Sequence, residues 1–131
     1  MSLSDIAAAQ SQLRLFETHC HLDLLELASQ QQLHWQRAQQ VGVRKLVIPA
    51  VEPAAWQNLL NLHRQQPDWL IALGIHPWWA AKYNLTALQQ LDELLTHHSD
   101  QICAVGEIGL DFALPAETFT IQQQLFSAQL S

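Results

Sequence analysis

Two histidines separated by a single residue are the first sign of chemistry in this chain. In Phe16-Glu17-Thr18-His19-Cys20-His21-Leu22-Asp23 they close an apolar run that reads as a β-strand. Side chains alternate along a strand, so Leu15, Glu17, His19 and His21 fall on one face and the two imidazoles point the same way. Such a pair can grip a divalent cation, and a cation with open positions can turn water into a nucleophile near neutral pH. Taken alone, the pair also fits two unrelated histidines on a polar face. Two later segments add donors. One is Gly74-Ile75-His76-Pro77-Trp78-Trp79 and the other is Val105-Gly106-Glu107-Ile108-Gly109-Leu110-Asp111. A carboxylate set among Val105, Gly106, Ile108 and Gly109 is costly to bury unless it is paired or bound to metal. Two imidazoles and one carboxylate suit Zn, Mn or Mg. Each residue has an ordinary reading as well. Glu107 could cap a helix or pair with a base, and His76 could be a turn residue before proline. Asp23 and Asp111 could hydrogen-bond local backbone.

These residues need elements to position them. Leu13 to His19, Lys45 to Val51, Leu70 to Ile75 and Ile102 to Ile108 are short apolar runs that predict strands. Helical spacing predicts helices over roughly Gln30 to Gln40, after Pro53, after Asn84 and over Phe119 to Leu130. The first helix should bury Leu33, Ala38 and Val41 and end at Gly42. The second places Trp56, Leu59, Leu60 and His63 at helical spacing, with Pro53 at the first position. The third should bury Leu88, Leu91 and Leu95, with Asn84 as N-cap. Alternating strands and helices, with strands apolar on both faces, mean an α/β protein with a parallel sheet. Function in such proteins gathers at the C-terminal strand ends, where His19, His21, His76, Glu107 and Asp111 all fall. Cys20 alternates away from its neighbours and is expected to be a buried thiol. His34 and His63 are expected on helix surfaces or in packing, and His97 and His98 near a helix C-terminus, where the partial negative dipole favours them and no function is assigned. Trp78 and Trp79 follow a strand end and could line a pocket mouth.

The chain has 131 residues, 49% of them hydrophobic and 14% charged, with a formal net charge of −6. That is enough for one domain with a core. The negative balance argues against broad electrostatic binding to nucleic acid or anionic membrane. It leaves room for a nucleic-acid substrate held through a bound cation. No apolar run reaches transmembrane length, and Met1 to Gln12 reads as a polar lead-in rather than a signal peptide. With two cysteines and no disulfide framework, the expected setting is a reducing cytoplasm. Asn84-Leu85-Thr86 matches a glycosylation pattern that this setting assigns to chance.

The three motifs together resemble the TatD family of metal-dependent deoxyribonucleases, and within it the YjjV-type branch. The likeness covers residues 13–131. It implies a (β/α)8 TIM-barrel of the amidohydrolase type, here as its first four βα units, that hydrolyses phosphodiester bonds of DNA or a related substrate. The resemblance assigns His19, His21 and Glu107 to metal, with two ions in a complete member. It gives His76 a substrate contact and Glu17, Asp23 and Asp111 supporting positions around the site. The family's first motif begins with Asp where this chain has Glu17, and one extra methylene there could loosen the site. The family also draws two more histidines and a general-base aspartate from later strands, which fall beyond Ser131. Strands one and four would then present open edges. The expected partner is a second copy of the chain or the remaining half of the barrel. The alternative reading is a truncated, non-catalytic fragment that retains partial metal binding or an interaction role.

Overall fold

The computed structural model describes residues 14–25, 28–83 and 85–131. The calls on the lead-in, on Leu13 and on Asn84 fall outside these residues. Four strands, β1 (Leu15–Glu17), β2 (Val43–Pro49), β3 (Trp69–Leu73) and β4 (Ile102–Val105), form one sheet in the order β1-β2-β3-β4. Every neighbouring pair is parallel, with Glu17 opposite Leu46, Ile48 opposite Ile71 and Leu73 opposite Val105. Helices α1 (Ala28–Gln40), α2 (Trp56–Gln65), α3 (Leu85–His97) and α4 (Phe119–Gln129) follow the strands in turn. Parallel strands need such crossovers, and the helices help to cover the apolar residues of β3 and of the second half of β2.

The core sits on the two central strands. Leu46, Ile48, Trp69, Ile71 and Leu73 are buried there, against Trp56, Leu59 and Leu60 of α2. The outer strands differ: all three residues of β1 and Cys103, Ala104 and Val105 of β4 are exposed. Gly42 ends α1 with a φ of 104°, a conformation that favours glycine. In α3, Leu91 is buried and Leu88 and Leu95 pack against the core.

Three expectations are corrected. The buried side of α1 is carried by Gln31 and Trp35, whereas Leu33 and Val41 are exposed and Ala38 is half-buried. Gln31 and Trp35 are one helical turn apart and share a face that Leu33 cannot reach. The Trp35 ring meets Trp69 edge-on at 6.3 Å, and the Gln31 amide donates to the Leu25 carbonyl at 2.9 Å. The large indole therefore orients the helix, and the glutamine is tolerated because its amide is paired. Second, β1 ends at Glu17 and β4 at Val105, so His19, His21 and Glu107 stand beyond the strands. Third, Cys20 is half-buried against the core rather than fully enclosed.

Candidate active site at the strand ends

The backbone past the strands is tied to β2, to β3 or to the segment just beyond β2, which fixes where the side chains emerge. Cys20 N–H donates to Val47 O at 3.0 Å, between the two histidines. Gly106 N–H donates to Leu73 O at 3.0 Å and Glu107 N–H to Ala50 O at 2.8 Å. His76 N–H donates to Val51 O at 3.0 Å. Glu17 supports the first histidine directly, because its Oε1 accepts from His19 N–H at 3.0 Å.

These anchors bring His19, His21 and Glu107 together. One ligand atom from each lies within 4.8 Å of the others. His19 Nε2 is 3.0 Å from Glu107 Oε1, His21 Nε2 is 3.6 Å from Glu107 Oε2, and the two Nε2 atoms are 3.2 Å apart. Two imidazole nitrogens facing each other and a carboxylate form a converging donor set, the type that holds a borderline divalent cation. A second observation agrees. His21 Nδ1 and Asp23 Oδ1 are buried, lie 4.0 Å apart and lack hydrogen-bond partners. A proton on Nδ1 aimed at this carboxylate would leave the Nε2 lone pair free for a cation. Burial pushes the Asp23 carboxyl above its usual range, and the neighbouring His21 partly opposes this.

His76 stands apart from this cluster and lines a cleft of about 440 Å³ with His21, Asp23, Glu107, Trp78 and Trp79. Its Nδ1 accepts from Trp78 N–H at 3.1 Å. A neutral ring must then carry its proton on Nε2, as a donor. Asp111 holds local structure, as one reading had it: Oδ1 accepts from Ala113 N–H at 2.9 Å. It also reaches across to the cleft, where Oδ2 accepts from the Trp78 indole N–H at 2.9 Å. His97, in the last turn of α3, hydrogen-bonds the Glu93 carbonyl, and His63 hydrogen-bonds the Trp69 carbonyl, in keeping with a packing role for His63. Burial pushes the Cys20 thiol above its ordinary value, and Cys20 is not part of the donor cluster.

Two residues of this region escaped the sequence reading. Glu52 lines the cleft, and its Oε2 accepts from Tyr83 O–H at 2.9 Å and from Lys82 Nζ at 3.3 Å. It follows β2 much as Glu107 follows β4, so the same strand-end criterion would have found it. Gln122 is buried on α4 and brackets the Asp111 backbone, accepting from its N–H at 2.8 Å and donating to its carbonyl at 3.1 Å.

Comparisons place this geometry among known proteins. A family model described as TatD related DNase matches residues 16–131. "Uncharacterized metal-dependent hydrolase YjjV" of Escherichia coli (strain K12) is 36% identical over 117 residues, which cover 89% of this chain and 45% of that protein. "3'-5' ssDNA/RNA exonuclease TatD" of Edwardsiella piscicida is 36% identical over 97 residues, covering 72% of this chain and 36% of its own length. The crystal structure of the YjjV TatD homologue from Escherichia coli K12 matches with a TM-score of 0.80 at 36% identity, covering 89% of this chain and 45% of that one. The chain thus spans less than half the length of these relatives.

Proposed function

We propose, on the premise that the chain belongs to the TatD related DNase family, that it supplies one half of a divalent-metal centre for hydrolysing phosphodiester bonds in nucleic acid. Its four βα units correspond to half of a TIM barrel. The observation that carries the proposal is the convergence of His19 Nε2, His21 Nε2 and Glu107 within 4.8 Å at the C-terminal strand ends. Mg, Mn or Zn bound there would supply Lewis-acid activation of water and of a phosphoryl oxygen, with two ions in the complete centre.

The chain's own residues then have separable parts. His19 and His21 present nitrogen lone pairs, and Asp23 orients His21 through Nδ1. Glu17 holds the His19 backbone in place. His76 offers its Nε2–H to a substrate phosphate entering the cleft. Relatives named as ssDNA/RNA exonucleases support a nucleic-acid strand as substrate. The 45% span of the relatives favours a second reading, in which this chain alone binds metal without turnover.

One experiment tests both. Titration calorimetry with Mn and Zn should show binding that weakens about 10- to 100-fold or more in Glu107→Ala. End-labelled single-stranded DNA is then incubated with the metal-loaded chain, with and without chelator. Chelator-sensitive cleavage supports hydrolysis by this chain, and metal binding without cleavage supports the second reading. A chain that binds none of the metals would defeat both.

A further inference from the structure

Trp78 is 63% exposed, yet it is held at three points. Its backbone N–H donates to His76 Nδ1, and its indole N–H donates to Asp111 Oδ2 at 2.9 Å. The His76 ring lies against it, with centroids 4.7 Å apart and planes at 69°. Asp111 is itself fixed by the buried Gln122, which bonds both its N–H and its carbonyl. Gln122 also donates to Thr118 Oγ1 at 2.8 Å, which locks the amide orientation. Water would hydrogen-bond a solvent-facing indole N–H without this relay. The relay holds a large flat surface in place at the mouth of the cleft that contains His21 and Glu107.

The charge pattern says what that surface can recognise. Among the described residues no lysine or arginine lines the cleft. Arg14, Arg44 and Lys45 gather around the starts of β1 and β2, at the opposite ends of those strands. Lys82 is engaged by Glu52. The described residues therefore offer a nucleic-acid strand at this cleft no basic groove that tracks its phosphates. What remains is the cation site for one phosphate and an aromatic face for a base. Stacking on an aromatic face requires an unpaired base and tolerates any of the four.

We infer that Trp78 is a stacking platform for an unpaired nucleobase of the strand whose phosphate reaches the His19–His21–Glu107 site, with Asp111 as the residue that positions it. This rests on the proposed function and adds to it a contact with the base, one that tolerates any of the four.

The test uses the whole chain with Mn and tetradeoxyadenylate, followed by tryptophan fluorescence and calorimetry. A second oligonucleotide carries an abasic site at one end or the other. Trp78→Ala should weaken tetradeoxyadenylate binding roughly 5- to 150-fold, the range that one base–aromatic stack is worth. An abasic end should cost the wild type a similar factor and cost Trp78→Ala nothing further. Asp111→Ala should weaken binding by removing the acceptor of the indole N–H, and Asp111→Asn, which can accept from only one of the Trp78 indole and the Ala113 N–H, should recover it only in part. Mn affinity should be unchanged in Trp78→Ala, which separates this proposal from the metal reading. Wild-type binding that ignores the abasic end, or an unaltered Trp78→Ala, would overturn the stacking role and leave the metal site standing. Failure to bind Mn at all refutes the function and the platform with it.

Discussion

Replacing Gly74 by alanine should damage the candidate metal site without touching any of its side chains. Gly74 follows β3, and a Cβ built on it would lie 2.8 Å from Glu107 O and from Gly106 C, and 3.0 Å from Gly106 Cα. Ordinary contact begins at 3.4 Å, so the neighbours must recede. They are backbone atoms rather than the tip of a flexible side chain. That backbone is pinned from both sides, by Gly106 N–H to Leu73 O and Glu107 N–H to Ala50 O. Gly74 cannot easily retreat, because the buried Trp56 indole donates to its carbonyl at 3.1 Å. Overpacking of this kind costs about 1–3 kcal/mol. With the unfolding entropy typical of a chain this size, that is a fall in Tm of about 4–11 °C. The displaced segment carries Glu107, whose carboxylate is 3.0 Å from His19, so Mn affinity should fall about 10- to 100-fold as well. Thermal melts without metal and calorimetry with Mn read the two effects separately. A Gly74→Ala chain that melts within about 1 °C of wild type and binds Mn equally would show that the close approach does not position Glu107.

Glu17→Ala should lower Mn affinity by less than Glu107→Ala does, since Glu17 acts on the His19 backbone and not on the cation; equal losses in calorimetry would contradict that division. The open edges of β1 and β4 predict self-association of the isolated chain. Light scattering that finds a well-behaved species of 14.8 kDa at micromolar concentration would count against it. Cys103 is exposed by area, yet the chain around it partly desolvates the thiol and raises it above its ordinary value, so less thiolate is present in mild alkali and alkylation should be slower than for the urea-unfolded chain. Its rate should still be climbing where the unfolded chain has levelled off, and superimposable pH profiles would argue otherwise.

The parts of the fold visible in the sequence are those encoded by local periodicity. β3 and the second half of β2, residues 46–49, are continuous apolar runs, and Trp56, Leu59 and Leu60 sit at helical spacing, so β3, most of β2 and α2 could be read directly. The buried face of α1 could not. Its choice between Leu33 and Trp35 depends on Trp69, which lies on a different element. The site shows the same division. His19, His21, His76 and Glu107 are legible because motifs concentrate them at strand ends. Alternation along extended strands is not what places them, since β1 stops at Glu17 and β4 at Val105. Glu52 meets Tyr83 across 31 residues, and Gln129 meets Ile75 across 54. No local pattern announces such pairings.

The metal candidates also report how the chain turns inward past its two edge strands. β1 and β4 are its two edges, with β2 and β3 between them. In a flat sheet, three inter-strand spacings would hold their backbones ~14 Å apart, with side chains standing perpendicular to the sheet. Yet His19, just past β1, meets Glu107, just past β4, at 3.0 Å. That approach is made past the strands: Cys20 N–H bonds Val47 O of β2 and Glu107 N–H bonds Ala50 O just beyond β2, so both donor segments lie against β2 and its continuation rather than three spacings apart. Donors from the two edges converge because this central segment is held in the core. Leu46, Ile48, Ile71 and Leu73 are buried, and Ala50, Val51 and Leu73 supply the carbonyls that tie down Glu107, His76 and Gly106. Core packing on β2 and β3 and donor geometry past β1 and β4 are thus linked through the same backbone. A loss of either should be felt in the other.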